Sequence, residues 1–162
     1  MKSKSNKIYL LEGTPEDVYA THVFAFDNIK RIIKPDKQNL IPSFIIWISR
    51  EEDLHSFTYQ IPVLAWELIE YADEPLNLVY PHSKYDPLRE KPSQPIGIRL
   101  VKDGLLHDFI KKHGPLFTTP KHQSKSIELL DNSCVKFKGI IPHYERVKTM
   151  KLFSDGSFTF LR

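Results

Sequence analysis

Few side chains in this 162-residue chain fall into a pattern that performs chemistry unaided. Seven histidines, at positions 22, 55, 82, 107, 113, 122 and 143, show neither HxxxH nor HExxH spacing, so their scatter argues against a metal centre. Cys134 is the lone cysteine and has no partner for a disulfide or a CxxC pair. Beside Ser133 in a Lys-containing tail it reads as a small packed residue rather than a nucleophile. Neither GxGxxG nor GxxxxGK[ST] occurs, which leaves nucleotide binding through a glycine-rich loop without support. No order of Ser, His and acid singles out a triad. The remaining signal is cationic. Residues 91–162 hold 13 Lys and Arg against 6 Asp and Glu, whereas residues 1–90 hold 10 against 14. That asymmetry points to a phosphate-bearing partner on the C-terminal part, although a solvated Lys-rich surface gives the same count. Arg99 stands out, because it closes the apolar run Ile96-Gly97-Ile98 and so sits at the C-terminal end of a predicted strand. Open α/β sheets gather ligands in the crevice beyond such strand ends.

The elements that must position these groups follow from local pattern. Strands are predicted at Ile8 to Leu11, which stops at Glu12-Gly13, and loosely over Val18 to Phe26. Asp27 reads as an N-cap for a helix carrying Ile29, Ile32 and Ile33, ended by Pro35. Ser43 to Ile48 is apolar without alternation, the mark of a strand covered on both faces at the centre of a sheet. Pro62 suits the first turn of a helix, with Leu64, Leu68 and Tyr71 at helical spacing. Leu76 to Tyr80 is a strand, and Pro81, Pro87, Pro92 and Pro95 then mark a surface loop. Ile96 to Leu100 returns to strand; Asp103 caps a helix with Leu105, Leu106, Phe109 and Ile110 inward; Gly114-Pro115 stops it before Leu116 to Thr119. Val135 to Phe137, Val147 to Phe153 and Phe158 to Leu161 complete the strands, the last two joined at Ser154-Asp155-Gly156 as a closing hairpin.

Composition bounds the whole. With 41% hydrophobic and 12% aromatic residues, the chain is expected to fold as one domain over 1–162, with 1–7 a flexible tail. Its longest apolar stretch, Phe44 to Ile48, is far short of the about 20 residues that span a bilayer. The polar opening has no signal-type apolar region, so a soluble, cytoplasmic protein without membrane contact is expected. Alternating strands and helices with a terminal hairpin predict an α/β fold with a mixed sheet and flanking helices.

Several of these segments share a further pattern. Pro95-Ile96-Gly97-Ile98-Arg99, a helix, and Gly114-Pro115-Leu116-Phe117-Thr118-Thr119 resemble the "GxR … GPL(x)xTSxN" portion of the YrdC/Sua5/YciO family. Tyr19-Ala20 with Ala25-Phe26-Asp27, Pro42 to Ile46 with Leu54, Pro75 to Val79, and Asp155-Gly156 to Arg162 fall into register with its other motifs. The resemblance implies a twisted mixed sheet with flanking helices around a concave cationic cavity. It also implies the synthesis of threonylcarbamoyl-adenylate from ATP, L-threonine and bicarbonate for tRNA modification. Arg99, Lys34 and Lys37 would then meet phosphates, Thr119 would lie near the substrate, Lys121 and His122 would occupy the ligand loop, and Tyr19 would line the cavity. The sequence departs from the family where the chemistry is done. The "KxR" position reads Lys34-Pro35-Asp36-Lys37, and "SxN" reads Pro120-Lys121-His122. The resulting expectation is a divergent protein that binds a nucleotide or RNA (tRNA) in translation, without full synthase activity. The alternative is an active threonylcarbamoyl-adenylate synthase, a nucleotidyltransferase. No tightly bound cofactor is expected, with ATP and its Mg²⁺ as a possible substrate.

Overall fold

A computed structural model describes residues 8–13, 23–26, 45–73, 75–84, 95–120, 135–141 and 147–161. In chain order they form β1 (Ile8–Gly13), β2 (Val23–Phe26), β3 (Ile45–Ile48), a 3-10 turn (Glu51–Asp53), α1 (Leu54–Phe57), α2 (Val63–Tyr71), β4 (Leu76–Tyr80), β5 (Ile96–Leu100), α3 (Gly104–His113), β6 (Leu116–Pro120), β7 (Val135–Ile141), β8 (Lys148–Leu152) and β9 (Phe158–Phe160). Among the described residues these strands make a nine-stranded sheet in the order β7-β1-β2-β6-β3-β5-β4-β8-β9. The sheet is mixed: β1–β7, β3–β5 and β4–β8 are parallel, and the remaining neighbours are antiparallel. Sequence pattern and structure therefore agree on a mixed α/β architecture. No helix is long and apolar enough to cross a membrane.

The unbroken apolar run of β3 explains its place. As the middle strand it buries Ile46 and Ile48 on one face and Trp47 on the other, a task that an alternating strand cannot perform. Each sheet face has its own core. On one face α1 and α2 bring Leu54, Phe57, Ala65 and Ile69 against Ile46, Ile48, Leu78, Tyr80, Ile96 and Ile98. On the other, α3 brings Leu106, Phe109 and Ile110 against Tyr9, Leu11, Trp47 and Leu116. The first is the α2 face of the sheet and the second its α3 face.

Helix boundaries follow the breakers, whereas helix faces do not follow the first pattern read. Pro62 is the N-cap residue of α2, but the residues fully buried are Ala65 and Ile69, one turn apart, while Tyr71 is 76% exposed. Leu105, expected inward, is 64% exposed, because Leu106, Phe109 and Ile110 already fill the stripe that α3 presents to the sheet. Asp103 occupies the N-cap position but makes no side-chain cap bond. Gly114 ends α3 at φ 86° and ψ −178°, a conformation essentially confined to glycine. β7 extends through Ile141, four residues beyond the predicted end, and β9 stops at Phe160, one short of it. The expected surface connection after β4 starts at half-buried Pro81 and His82 and then brings in Ser83, which is buried and forms an isolated bridge with Thr58. The helix expected after Asp27 and most of the loop over 81–95 lie outside the described residues.

Candidate functional site

The neighbouring parallel strands β3 and β5 place their C-terminal ends side by side, with Ile48 opposite Leu100. From β3 the chain turns onto the α2 face, and from β5 it turns onto the α3 face. Connections that leave adjacent parallel strands in opposite directions open a crevice beyond the strand ends, the recurrent ligand position of open α/β sheets. A cavity of about 360 Å³ lies next to this point, at the end of β5 between the C-terminal end of α2 and the start of β4, and no β3 residue lines it. It is at the small end of the about 300–1,000 Å³ typical of small-molecule pockets.

Sheet and helices divide its lining. Leu54, Ile69, Leu78, Ile98 and Leu100 form an apolar body between the α1–α2 layer and the sheet. Glu70, Asp73, Arg99, Lys102 and Asp103 also line it, so the charged residues among the lining comprise three carboxylates and two cations. Lys102 is committed locally: its Nζ donates to the backbone carbonyls of Glu70 at 3.3 Å and Ala72 at 3.2 Å. These are carbonyls at the C-terminal end of α2, where a cation complements the negative end of the helix. Tyr80 also lines the cavity, only 1% exposed, and desolvation by burial pushes its hydroxyl well above the ordinary tyrosine range.

Arg99 is the one predicted site residue whose side chain the structure describes, and it lines the crevice at the end of β5 as its sequence position implies. Its guanidinium, however, lies on the α3 face. Strand alternation sends Ile98 and Leu100 to the α2 core, and Arg99 between them to the opposite side, 5.1 Å over the Trp47 ring. There its Nε donates to Asn77 Oδ1 at 2.7 Å, and Asn77 Nδ2 donates to Thr149 Oγ1 at 3.4 Å. The result is a polar row across β5, β4 and β8, with Asn77 8% exposed. Trp47 Nε1, beneath this row, is the one enclosed side-chain nitrogen or oxygen without a hydrogen-bond partner among the described residues. Thr119 lies in β6, paired with Phe24 of β2. Tyr19, Lys34, Lys37, Lys121 and His122 lie outside the described residues, so the grouping expected from the resemblance rests here on Arg99 alone.

The residues that sequence reasoning missed are Tyr80, Lys102 and the carboxylates Glu70, Asp73 and Asp103. Tyr80 carried only the signal of one more apolar strand residue, and the acids only that of helix ends. Among the described residues no group of His, Cys, Asp and Glu is arranged to hold a metal ion. No family model, no curated protein and no solved structure matches this chain. The described residues define a mixed α/β fold with a small-molecule-sized cavity between α2 and the sheet, at the end of β5.

Proposed function

We propose that the chain binds a small organic molecule in the cavity at the end of β5, between α2 and the start of β4. The cavity carries this reading: it couples an apolar body to a charged mouth beyond the C-terminal end of β5. Binding needs an enclosed apolar surface for affinity and a few fixed polar groups for orientation. Leu78, Ile98 and Ile69 supply the former, and the charged rim residues supply the latter. The test is amide-resolved NMR of the full chain titrated with aromatic fragments of differing charge. Displaced resonances at Ala72, Leu100, Val101 and Lys102 are expected. A set of fragments that moves none of them at millimolar concentration overturns the reading.

A second reading is the divergent YrdC-like nucleotide or RNA binder. Its support is the position of Arg99 at the strand end, beside the first turn of α3, together with the matched segments around it. On this reading the base would enter the apolar cavity, and the phosphates would have to reach the α3 face, where the Arg99 guanidinium lies. Full synthase activity would further require replacements for the missing "KxR" and "SxN" groups. Titration with AMP and ATP tests it: affinity that rises with each phosphate and falls in Arg99→Ala favours the nucleotide, and affinity indifferent to phosphate count removes it.

A further inference from the structure

The outer edge of β9 is complementary to itself, and we infer that β9 pairs antiparallel with β9 of a second copy of this chain, about a twofold axis through Thr159. The first ground is the hydrogen-bond phase of the edge. Phe153 N donates to Ser157 O at 2.9 Å and Leu161 N donates to Thr149 O at 2.8 Å, so the odd-numbered residues of β9 turn their backbone groups inward to β8. The N–H and C=O of Phe158 and Phe160 therefore point outward, where β9 has no neighbouring strand among the described residues. In an antiparallel pair centred on Thr159, Phe158 of each copy lies opposite Phe160 of the other, and the two residues exchange both backbone bonds. Each outward N–H and C=O of both strands is then paired. A twofold placed on Phe158 or on Phe160 leaves the other phenylalanine without a strand residue opposite it.

The side chains agree with the same axis. Phe158 pairs with Leu152 and Phe160 with Met150, so both rings stand on the α2 face, where the core runs out at Met150 and Leu152. Both rings are exposed and meet each other edge to face. Pairing about Thr159 sets the second copy's two rings directly across from them and carries the apolar strip over the boundary between copies, the self-matching that a twofold contact requires. Ser157 to Leu161 holds no charge and no proline, the devices by which edge strands avoid pairing. The opposite edge strand, β7, holds Lys136 and Lys138, which favours β9 against β9 over β9 against β7. A contact made by one three-residue strand from each copy is at the small end of specific interfaces, so the dimer is transient and forms at high concentration.

Sedimentation equilibrium of the full chain should show a mass that climbs from one copy toward two over roughly 10 μM to 1 mM, the range of a weak, small interface. Phe158→Lys with Phe160→Lys should hold the mass at one copy over the same range. Cross-linking tests the register. Thr159 is exposed, and the axis sets its Cα about 4.5 Å from that of the second copy, within the span of a disulfide. Thr159→Cys in a Cys134→Ser background should therefore form a disulfide-linked dimer under copper phenanthroline about tenfold faster than Ser157→Cys, which lies opposite Leu161 of the other copy. A single-copy mass at every concentration, growth past two copies, or equal cross-linking at positions 157 and 159 overturns the inference. If the double lysine variant fails to fold, the two cysteine variants decide alone, since both positions are exposed.

Discussion

Tyr80 and Arg99 occupy neighbouring strands and face opposite sides of one sheet, and their environments set opposite expectations for substitution. The Tyr80 hydroxyl is raised by desolvation, so the folded state holds it neutral where the unfolded chain ionises. Below about pH 10 both states keep the proton and stability is unaffected; above it the unfolded state binds fewer protons, and stability falls by up to about 1.4 kcal/mol per pH unit. Ultraviolet titration should therefore show tyrosine ionisation that is held back until the chain unfolds, and Tyr80→Phe should diminish that late phase. If the late phase is the same in parent and Tyr80→Phe, the buried assignment is wrong. The same variant removes an unpartnered hydroxyl and should leave neutral-pH stability unchanged or slightly higher. Arg99→Ala, by contrast, takes a donor from buried Asn77 and a cation from over Trp47, at a cost of about 1–3 kcal/mol. Arg99→Lys should recover only part, since the planar fork is lost. Urea unfolding of the pair measures both.

Elements here begin and end on single residues whose substitution has a calculable sense. Gly114 closes α3 at φ 86° and ψ −178°, and a Cβ placed there would meet nothing within 4 Å. The cost of Gly114→Ala is therefore conformational rather than steric crowding by neighbours, about 1–3 kcal/mol, and urea unfolding should report it with an unchanged slope. At the end of α2, Lys102 satisfies carbonyls that the helix leaves open. Lys102→Met should loosen that end, visible as faster amide exchange over residues 69–72, while the α3 amides keep their protection. Equal exchange in both helices would show that the lysine has no capping role.

Across the whole molecule, two cores share one sheet, and the central strand belongs to both. Ile98→Ala strikes the α2-face core and Leu106→Ala the α3-face core, each fully buried. Each should cost about 2–5 kcal/mol, and each should shift a single transition, because β3 couples the layers through Ile46 and Trp47. Separate transitions in either variant would mean that the faces unfold independently. The sheet ends on β9, where Phe158 and Phe160 are 48% and 64% exposed, their rings edge to face at 5.9 Å. An exposed apolar edge strand invites pairing between chains. Phe158→Lys with Phe160→Lys should lower light scattering at high concentration while changing stability by less than about 0.5 kcal/mol per site. At the scale of function, ATP, L-threonine and bicarbonate should yield no pyrophosphate above background if the altered "KxR" and "SxN" segments have lost the synthase chemistry; robust turnover would restore the synthase reading.

What the sequence determined by itself was whatever short-range chemistry dictates. Pro62 and Gly114-Pro115 set helix boundaries, the unalternating Ile45 to Ile48 run required a strand covered on both sides, and Ser154-Asp155-Gly156 turned the chain into its last hairpin. Each depends on a backbone restriction or a periodicity confined to a few neighbours. Arg99 was legible as a strand-end cation for the same reason. Only the tertiary structure decided which face that cation serves, because its partners Trp47 and Asn77 come from other strands, with Asn77 22 residues away. It alone distinguished Leu106, buried, from Leu105, exposed, since that choice depends on where α3 settles on the sheet. The cavity was equally invisible: Tyr80, Glu70 and Asp103 line one space only because α2 packs over β4 and β5 where those strands pair, a matter of strand order and layer packing that no local pattern carries.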